Sequence, residues 1–135
     1  MKSPAEIVAL MMKEDSFSRW LGIEIIETGL GSCRLQAKVN EQMLNGHNIL
    51  HGGITYSISD SALAFASNSR GHKAVSIETS ISHIKKCLPN DTLTAIAKEI
   101  SRGKKIGIYE IEVFNQHALK VAHFKGTVYI SDEIW

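Results

Sequence analysis

Apolar residues recur along this chain with two different periods, and the changes of period mark its elements. The first stretch is helical. Ser3-Pro4-Ala5-Glu6 offers a capping serine, a proline suited to the first turn and a glutamate that completes a capping box. Ile7, Leu10, Met11 and Phe17 follow near helical spacing, Trp20 and Leu21 extend the apolar character, and Gly22 stops the helix. Period two then takes over. Ile23, Ile25 and Thr28 open a strand, residues 29–32 turn, and residues 33–39 form a second strand with Leu35, Ala37 and Val39 on one face. Residues 45–53 read as a loop. Residues 54–69 read as a helix of Ile, Ala, Leu, Phe and Ser on every side, the composition of a buried helix, closed by residues 68–72 around Gly71. The remainder alternates as sheet. Val75, Ile77, Thr79 and Ile81 share one face. Leu93, Ala95, Ala97 and Ile100 mark an imperfectly alternating strand. Tyr109, Ile111 and Val113 share a face, as do Ala122, Phe124, Gly126, Val128 and Ile130. Turns at Pro89-Asn90-Asp91, at residues 101–105 and at Asn115-Gln116-His117 separate these strands.

The order is helix, two strands, long helix, four strands. Tight connections between the late strands call for antiparallel pairing. A sheet of about six strands then has one apolar face to cover, and the helix over 54–69 is the cover. The class is α+β, with residues 1–135 forming one domain. Composition changes this picture little: 21% charged and 44% apolar residues are ordinary for a soluble globular chain. A net charge of +1 gives no argument for nucleic acid or membrane as partner. No apolar run is long enough to cross a bilayer, and no basic start with an apolar core suggests a signal peptide. Cys33 and Cys87 make neither a metal spacing nor a disulfide framework, which points to reduced thiols in a cytoplasmic protein. No Cys/His cluster calls for a metal, and no cofactor is expected.

One charge stands out. Between Glu41 and Arg70 the only formally charged residue is Asp60, in the middle of the apolar helix. An ionised group taken out of water is costly unless something satisfies it. Asp60 can sit at a solvent gap or bond one of Ser57, Ser59 and Ser61. Alternatively it can do chemistry with its neighbours. Gly52 and Gly53 lie where a helix begins, where free N–H groups and a partial positive charge form the hardware of an oxyanion hole; read plainly, they are turn glycines. Asn45 and His51 flank that turn. Asn45 can donate and accept or simply make a tight turn with Gly46, and His51 can position a ligand or cap the helix. Asp60 lies eight residues after Gly52, ~12 Å along a helix axis. One Asp side chain does not span that distance. If Gly52 and Asp60 serve one reacting centre, they come from two chains whose helices pack antiparallel about a two-fold axis.

Asn45-Gly46-His47 through His51-Gly52-Gly53, with Asp60 nine residues after His51, resembles the hotdog-fold acyl-CoA thioesterases, in particular their phenylacetic-acid-degradation branch. Leu21-Gly22-Ile23, residues 60–66, Asn68-Ser69-Arg70-Gly71 and Asp91-Thr92-Leu93-Thr94-Ala95 extend the resemblance over nearly the whole chain. It implies a hotdog: an antiparallel sheet wrapped around the long central helix, with an N-terminal helix. It implies Asp60 as catalytic carboxylate, general base or nucleophile, and the Gly52 N–H as oxyanion donor. His51 supports that turn, and Asn45 holds the carbonyl or the attacking water. Gly53 and Ser76 lie beside the substrate, with Ser76 helping to place the water. It further implies homodimers, commonly paired as homotetramers (dimers of dimers), with sites at the dimer interface.

The expected reaction is hydrolysis of a small aromatic or medium-chain acyl-CoA. Coenzyme A carries phosphates, so Lys85, Lys86, Arg102, Lys104 and Lys105 are candidate contacts, although each also suits a solvated turn. The branch often carries an aromatic and then Leu-Arg-Pro after the third strand. This chain has His83-Ile84-Lys85-Lys86-Cys87-Leu88-Pro89 there. A non-catalytic acyl-CoA-binding regulator of the same fold is the alternative, but it has no need of a carboxylate in the helix. A hotdog dehydratase would use a catalytic His in a spacing that is not found here.

Overall fold

The computed structural model describes residues 1–135. Helix α1 (Pro4–Glu14) opens on the expected capping box: Ser3 Oγ accepts from the Glu6 N–H at 3.2 Å, and the Ser3 N–H donates to Glu6 Oε1 at 3.2 Å. The helix does not continue to Leu21. Asp15 accepts from the Ser18 N–H at 2.9 Å and from the Ser18 hydroxyl at 2.6 Å, and so caps a separate helix, α2 (Ser16–Trp20). A carboxylate bonded to the backbone three residues on competes with helix continuation. The break leaves Phe17 and Trp20 in solvent, stacked at 6.0 Å, with Leu10 exposed and Ile7 and Val8 buried in its place. Gly22 ends α2 at φ 73°, where only glycine is unstrained.

Strands β1 (Glu24–Gly29) and β2 (Ser32–Lys38) form the expected hairpin. A short 3-10 turn (Glu41–Met43) and the 44–51 loop lead into α3 (Gly52–Asn68), followed by β3 (His72–His83), β4 (Thr92–Arg102), β5 (Ile106–Phe114) and β6 (Lys120–Ile134). All six strands join one antiparallel sheet in the order β1-β2-β4-β5-β6-β3. The sheet curls around α3, which touches all six strands. Ile58, Ala62, Leu63, Phe65 and Ala66 of α3 pack on Leu35, Leu93, Ile111, Phe124 and Val128 as one core. No helix is long and apolar enough to cross a membrane.

Two patterns depart from simple alternation. A bulge between Glu99 and Ser101 turns Ile100 out of the core, which explains the irregular period of β4. A second bulge, between Ser76 and Glu78, interrupts β3. Val75, Ile77, Thr79 and Ile81 do not form one buried face: Val75 and Ile77 are 65% and 58% exposed. β3 is an edge strand, and although α3 packs against it, Val75 and Ile77 stay uncovered.

The far end of α3 is stitched by Asn68, which is 2% exposed. Its amide nitrogen donates to the carbonyls of Ala64 (2.8 Å) and Ala74 (3.0 Å). Its oxygen accepts from the Ala74 N–H (2.9 Å) and the Trp135 indole N–H (2.8 Å). Asn68→Ala strands these buried groups together and is expected to cost about 2–3 kcal/mol. A urea unfolding curve with an unshifted midpoint would contradict it.

Candidate active site

Helix α3 begins two residues earlier than its apolar pattern suggests, because His51 caps it. His51 Nδ1 accepts from the Gly53 N–H at 2.8 Å, so in its neutral form the ring carries its proton on Nε2. Gly52 and Gly53 therefore form the first turn itself. The Gly53 N–H is spent on His51. The Gly52 N–H, first in the helix, has no intrahelical acceptor and no other partner in the chain.

The loop ahead of the helix is fixed from both sides. The Leu50 N–H donates to the Cys87 carbonyl at 2.9 Å and the His51 N–H to the Met43 carbonyl at 2.8 Å. Asn45 Oδ1 accepts from the His47 N–H at 2.8 Å and more weakly from the Ile49 N–H at 3.4 Å. That fixes the amide orientation: its oxygen faces the loop, and Nδ2, which bonds nothing in the chain, remains as a free donor.

Gly52 opens on a cavity of about 340 Å³ shared with Thr55, His83, Lys85, Lys86 and Cys87. Cys87 is not a nucleophile there. Burial, with the nearby Asp91 charge, pushes its thiol up to about 11, and burial pushes that of Cys33 up to about 12. Both cysteines are free.

Asp60 is half-buried on the third turn of α3, and the neighbouring serines do not satisfy it. Ser57 donates to the Gly53 carbonyl at 2.7 Å, Ser59 to the Thr55 carbonyl at 2.9 Å, and Ser61 meets the Ser18 hydroxyl at 2.8 Å. The carboxylate faces a second cavity, of about 420 Å³, walled by Met11, Leu63, Val128 and Trp135 and edged by Ser76. Burial raises the Asp60 carboxyl above the usual carboxylate range, and the Asp15 charge adds to it.

Within one chain the structure brings Asp60 together with Ser76, and Gly52 with Lys85 and Lys86. It does not bring these two groups together. Arg102 goes elsewhere: its guanidinium donates to the Ser67 carbonyl at 2.9 Å and the Tyr109 hydroxyl at 2.8 Å, tying down the opposite end of α3. Lys104 is exposed in the β4–β5 turn, and Lys105 pairs with Asp132 at 3.1 Å. No three His, Cys, Asp or Glu side chains cluster closely enough to hold a metal ion.

The sequence pattern of the thioesterase superfamily matches residues 47–122, more than half of the chain and the part that holds the cap, Gly52 and Asp60. The chain belongs to the thioesterase superfamily. It is 40% identical over 116 residues to the acyl-coenzyme A thioesterase PaaI of Escherichia coli K12, covering 86% of this chain and 83% of that protein. It is 39% identical over 123 residues to a putative esterase of Archaeoglobus fulgidus, covering 91% and 80% of the two. The solved structure of the E. coli PaaI protein from the phenylacetic acid degradation operon superposes with a TM-score of 0.95 at 36% identity, over 97% of this chain and 95% of that one. This protein is a thioesterase of the PaaI type, a thioester hydrolase with the hotdog fold expected from its motif.

Three wall residues of this thioesterase carry no local signal. Met11 and Trp135 reach the Asp60 cavity from α1 and from beyond β6, and only the folded sheet brings them there. His83 stands over Gly52 from the end of β3. The sequence pattern places it just after the third strand, whereas β3 runs through it, and its approach to the helix depends on the tertiary packing.

Proposed function

We propose that this thioesterase hydrolyses small aromatic or medium-chain acyl-CoA thioesters at two composite sites of a homodimer, with dimers pairing into a tetramer. One observation carries the reading: a free carboxylate and a free helix-start N–H, ~12 Å apart along α3, open on different cavities. Packing two α3 helices antiparallel places each Asp60 near the other chain's Gly52. The bare apolar edge at Val75 and Ile77, on either side of Ser76, supports a second copy there. That E. coli PaaI is an acyl-CoA thioesterase supports the substrate class. The two buried free thiols suit a cytoplasmic setting.

The thioester carbonyl accepts from the Gly52 N–H at the positive end of α3, and Asn45 Nδ2 donates beside it. His51 and Gly53 hold that turn rigid. The partner subunit's Asp60 takes a proton from water placed near Ser76, and the hydroxide adds to the acyl carbon. The tetrahedral adduct collapses, the C–S bond breaks, and the thiolate recovers the proton. Direct attack by the carboxylate, through an anhydride that water then cleaves, uses the same geometry. Single-turnover hydrolysis in ¹⁸O water separates the routes, since only the anhydride route can leave label in Asp60. Lys85 and Lys86 line the mouth on the Gly52 side and suit the phosphates of coenzyme A.

The acyl group lies in the Asp60 cavity. An apolar cavity of about 150 Å³ takes up benzene. The space of about 420 Å³ here suits an aryl-acetyl group or a medium aliphatic chain. A kinetic panel is expected to give the highest kcat/KM for aryl or six- to ten-carbon acyl-CoAs, about tenfold or more above acetyl-CoA, whose missing buried methylenes each forfeit about 0.8 kcal/mol. A flat profile, or no turnover of any acyl-CoA, would defeat the reading.

A further inference from the structure

The Gly52 cavity holds one more polar group pointed at its end wall. His83 is the last residue of β3, paired with Ala122 of β6. The next two residues are pinned to the same strand, with the Ile84 and Lys85 N–H groups donating to the Val121 carbonyl at 2.9 and 3.1 Å. The imidazole is held over the start of α3. A Cβ placed on Gly52 would come 3.0 Å from His83 Nε2 and 3.1 Å from its Cε1. A Cβ is two bonds from its own backbone nitrogen, so the imidazole edge stands in the neighbourhood of the Gly52 N–H. Neither ring nitrogen of His83 hydrogen-bonds within the chain, and the Gly52 N–H is equally unspent. Two unspent polar groups on different scaffolds, a strand end and a helix start, therefore line one cavity.

We propose that His83 is a further oxyanion donor, completing with the Gly52 N–H and Asn45 Nδ2 the site that receives the thioester oxygen. The inference rests on the reading of Gly52 given above. As hydroxide or carboxylate adds to the acyl carbon, the carbonyl π electrons move onto oxygen. That oxygen accepts a hydrogen bond from the His83 ring N–H, and the proton stays on the imidazole. When the electrons return and the C–S bond breaks, His83 is unchanged. A donor aimed at developing charge acts mainly in the transition state, so its loss falls on kcat rather than KM. The same packing explains why position 52 carries no side chain: any Cβ there would crowd the imidazole and cover the N–H.

The test uses the intact protein and its best acyl-CoA from the panel. His83→Phe keeps an aromatic ring over Gly52 but removes the N–H, and is expected to lower kcat by about 10- to 100-fold with KM changed less than about twofold, short of the full loss of a lone oxyanion donor. His83→Ala should lose as much, and added imidazole should restore part of the rate by filling the space over Gly52. A His83→Phe variant as fast as wild type, a loss confined to KM, or no imidazole rescue of His83→Ala would overturn the assignment. If wild type hydrolyses no acyl-CoA, the reading of Gly52 fails as well. If wild type turns over and His83→Phe matches it, only the role of His83 fails.

Discussion

Asp60→Asn is expected to lower kcat/KM by about 10²- to 10⁴-fold, the range for removal of a positioned base, while the protein becomes more stable at neutral pH. Both effects come from one environment. The Asp60 carboxyl is raised by burial and by the Asp15 charge, and no serine of α3 satisfies it. Folding therefore favours its protonated form. That contribution is fully present below the ordinary carboxylate value, about 3.9, and is lost as pH rises through the raised value. At pH 7 the ionised group costs stability, and Asn removes the cost without changing the shape. The difference in melting temperature between variant and wild type should widen from about pH 4 toward neutrality and then level off. The same shift places the acid limb of the wild-type rate profile above the usual carboxylate range, because the base must be ionised to act. Thermal melts and pH-rate profiles check the two claims separately. A variant that is inactive and also less stable at pH 7 would make the loss structural rather than chemical.

A lone charge in an apolar helix is conspicuous whatever its role, and this is why Asp60 stood out before any fold was known. The strands at 109–113 and 122–130 were legible for a similar reason: alternation is local, and the core lies on one side. The features that escaped depend on non-local partners. The bulges that expose Ile77 and Ile100 are set by register against β6 and β5. The break at Asp15 comes from a carboxylate that prefers Ser18 as partner to an unbroken helix. Arg102 reads as a free cation in a basic turn, yet it serves the Ser67 carbonyl and the Tyr109 hydroxyl. Charge is visible in a sequence, but its partner is not. The candidate site divides along the same line. Gly52, His51 and Asp60 sit on one continuous segment and could be related by helix rise alone, whereas the cavity walls come from Met11, Val128 and Trp135.

The distance between Gly52 and Asp60 leads to the second large expected effect. Gly52→Val puts a side chain against His83 and over the helix-start N–H, and should be inactive alone, as should Asp60→Asn. Unfolded and refolded together in equal amounts, the two should regain activity. With random pairing, half the dimers are mixed and each keeps one intact site of two, so recovery should approach about one quarter of wild type. In a mixed dimer both lesions fall in the same site, and the other site joins an unaltered Gly52 to an unaltered Asp60. If each chain carried its own complete site, every site would hold one lesion and mixing would restore nothing. Dimer mass in solution and circular dichroism of each variant show whether both fold and pair. With those satisfied, absent recovery would place the oxyanion donor and the carboxylate in one chain, against the reach of α3. Recovery near a quarter would make the buried charge of Asp60 intelligible: each protomer bears its cost for the other's reaction.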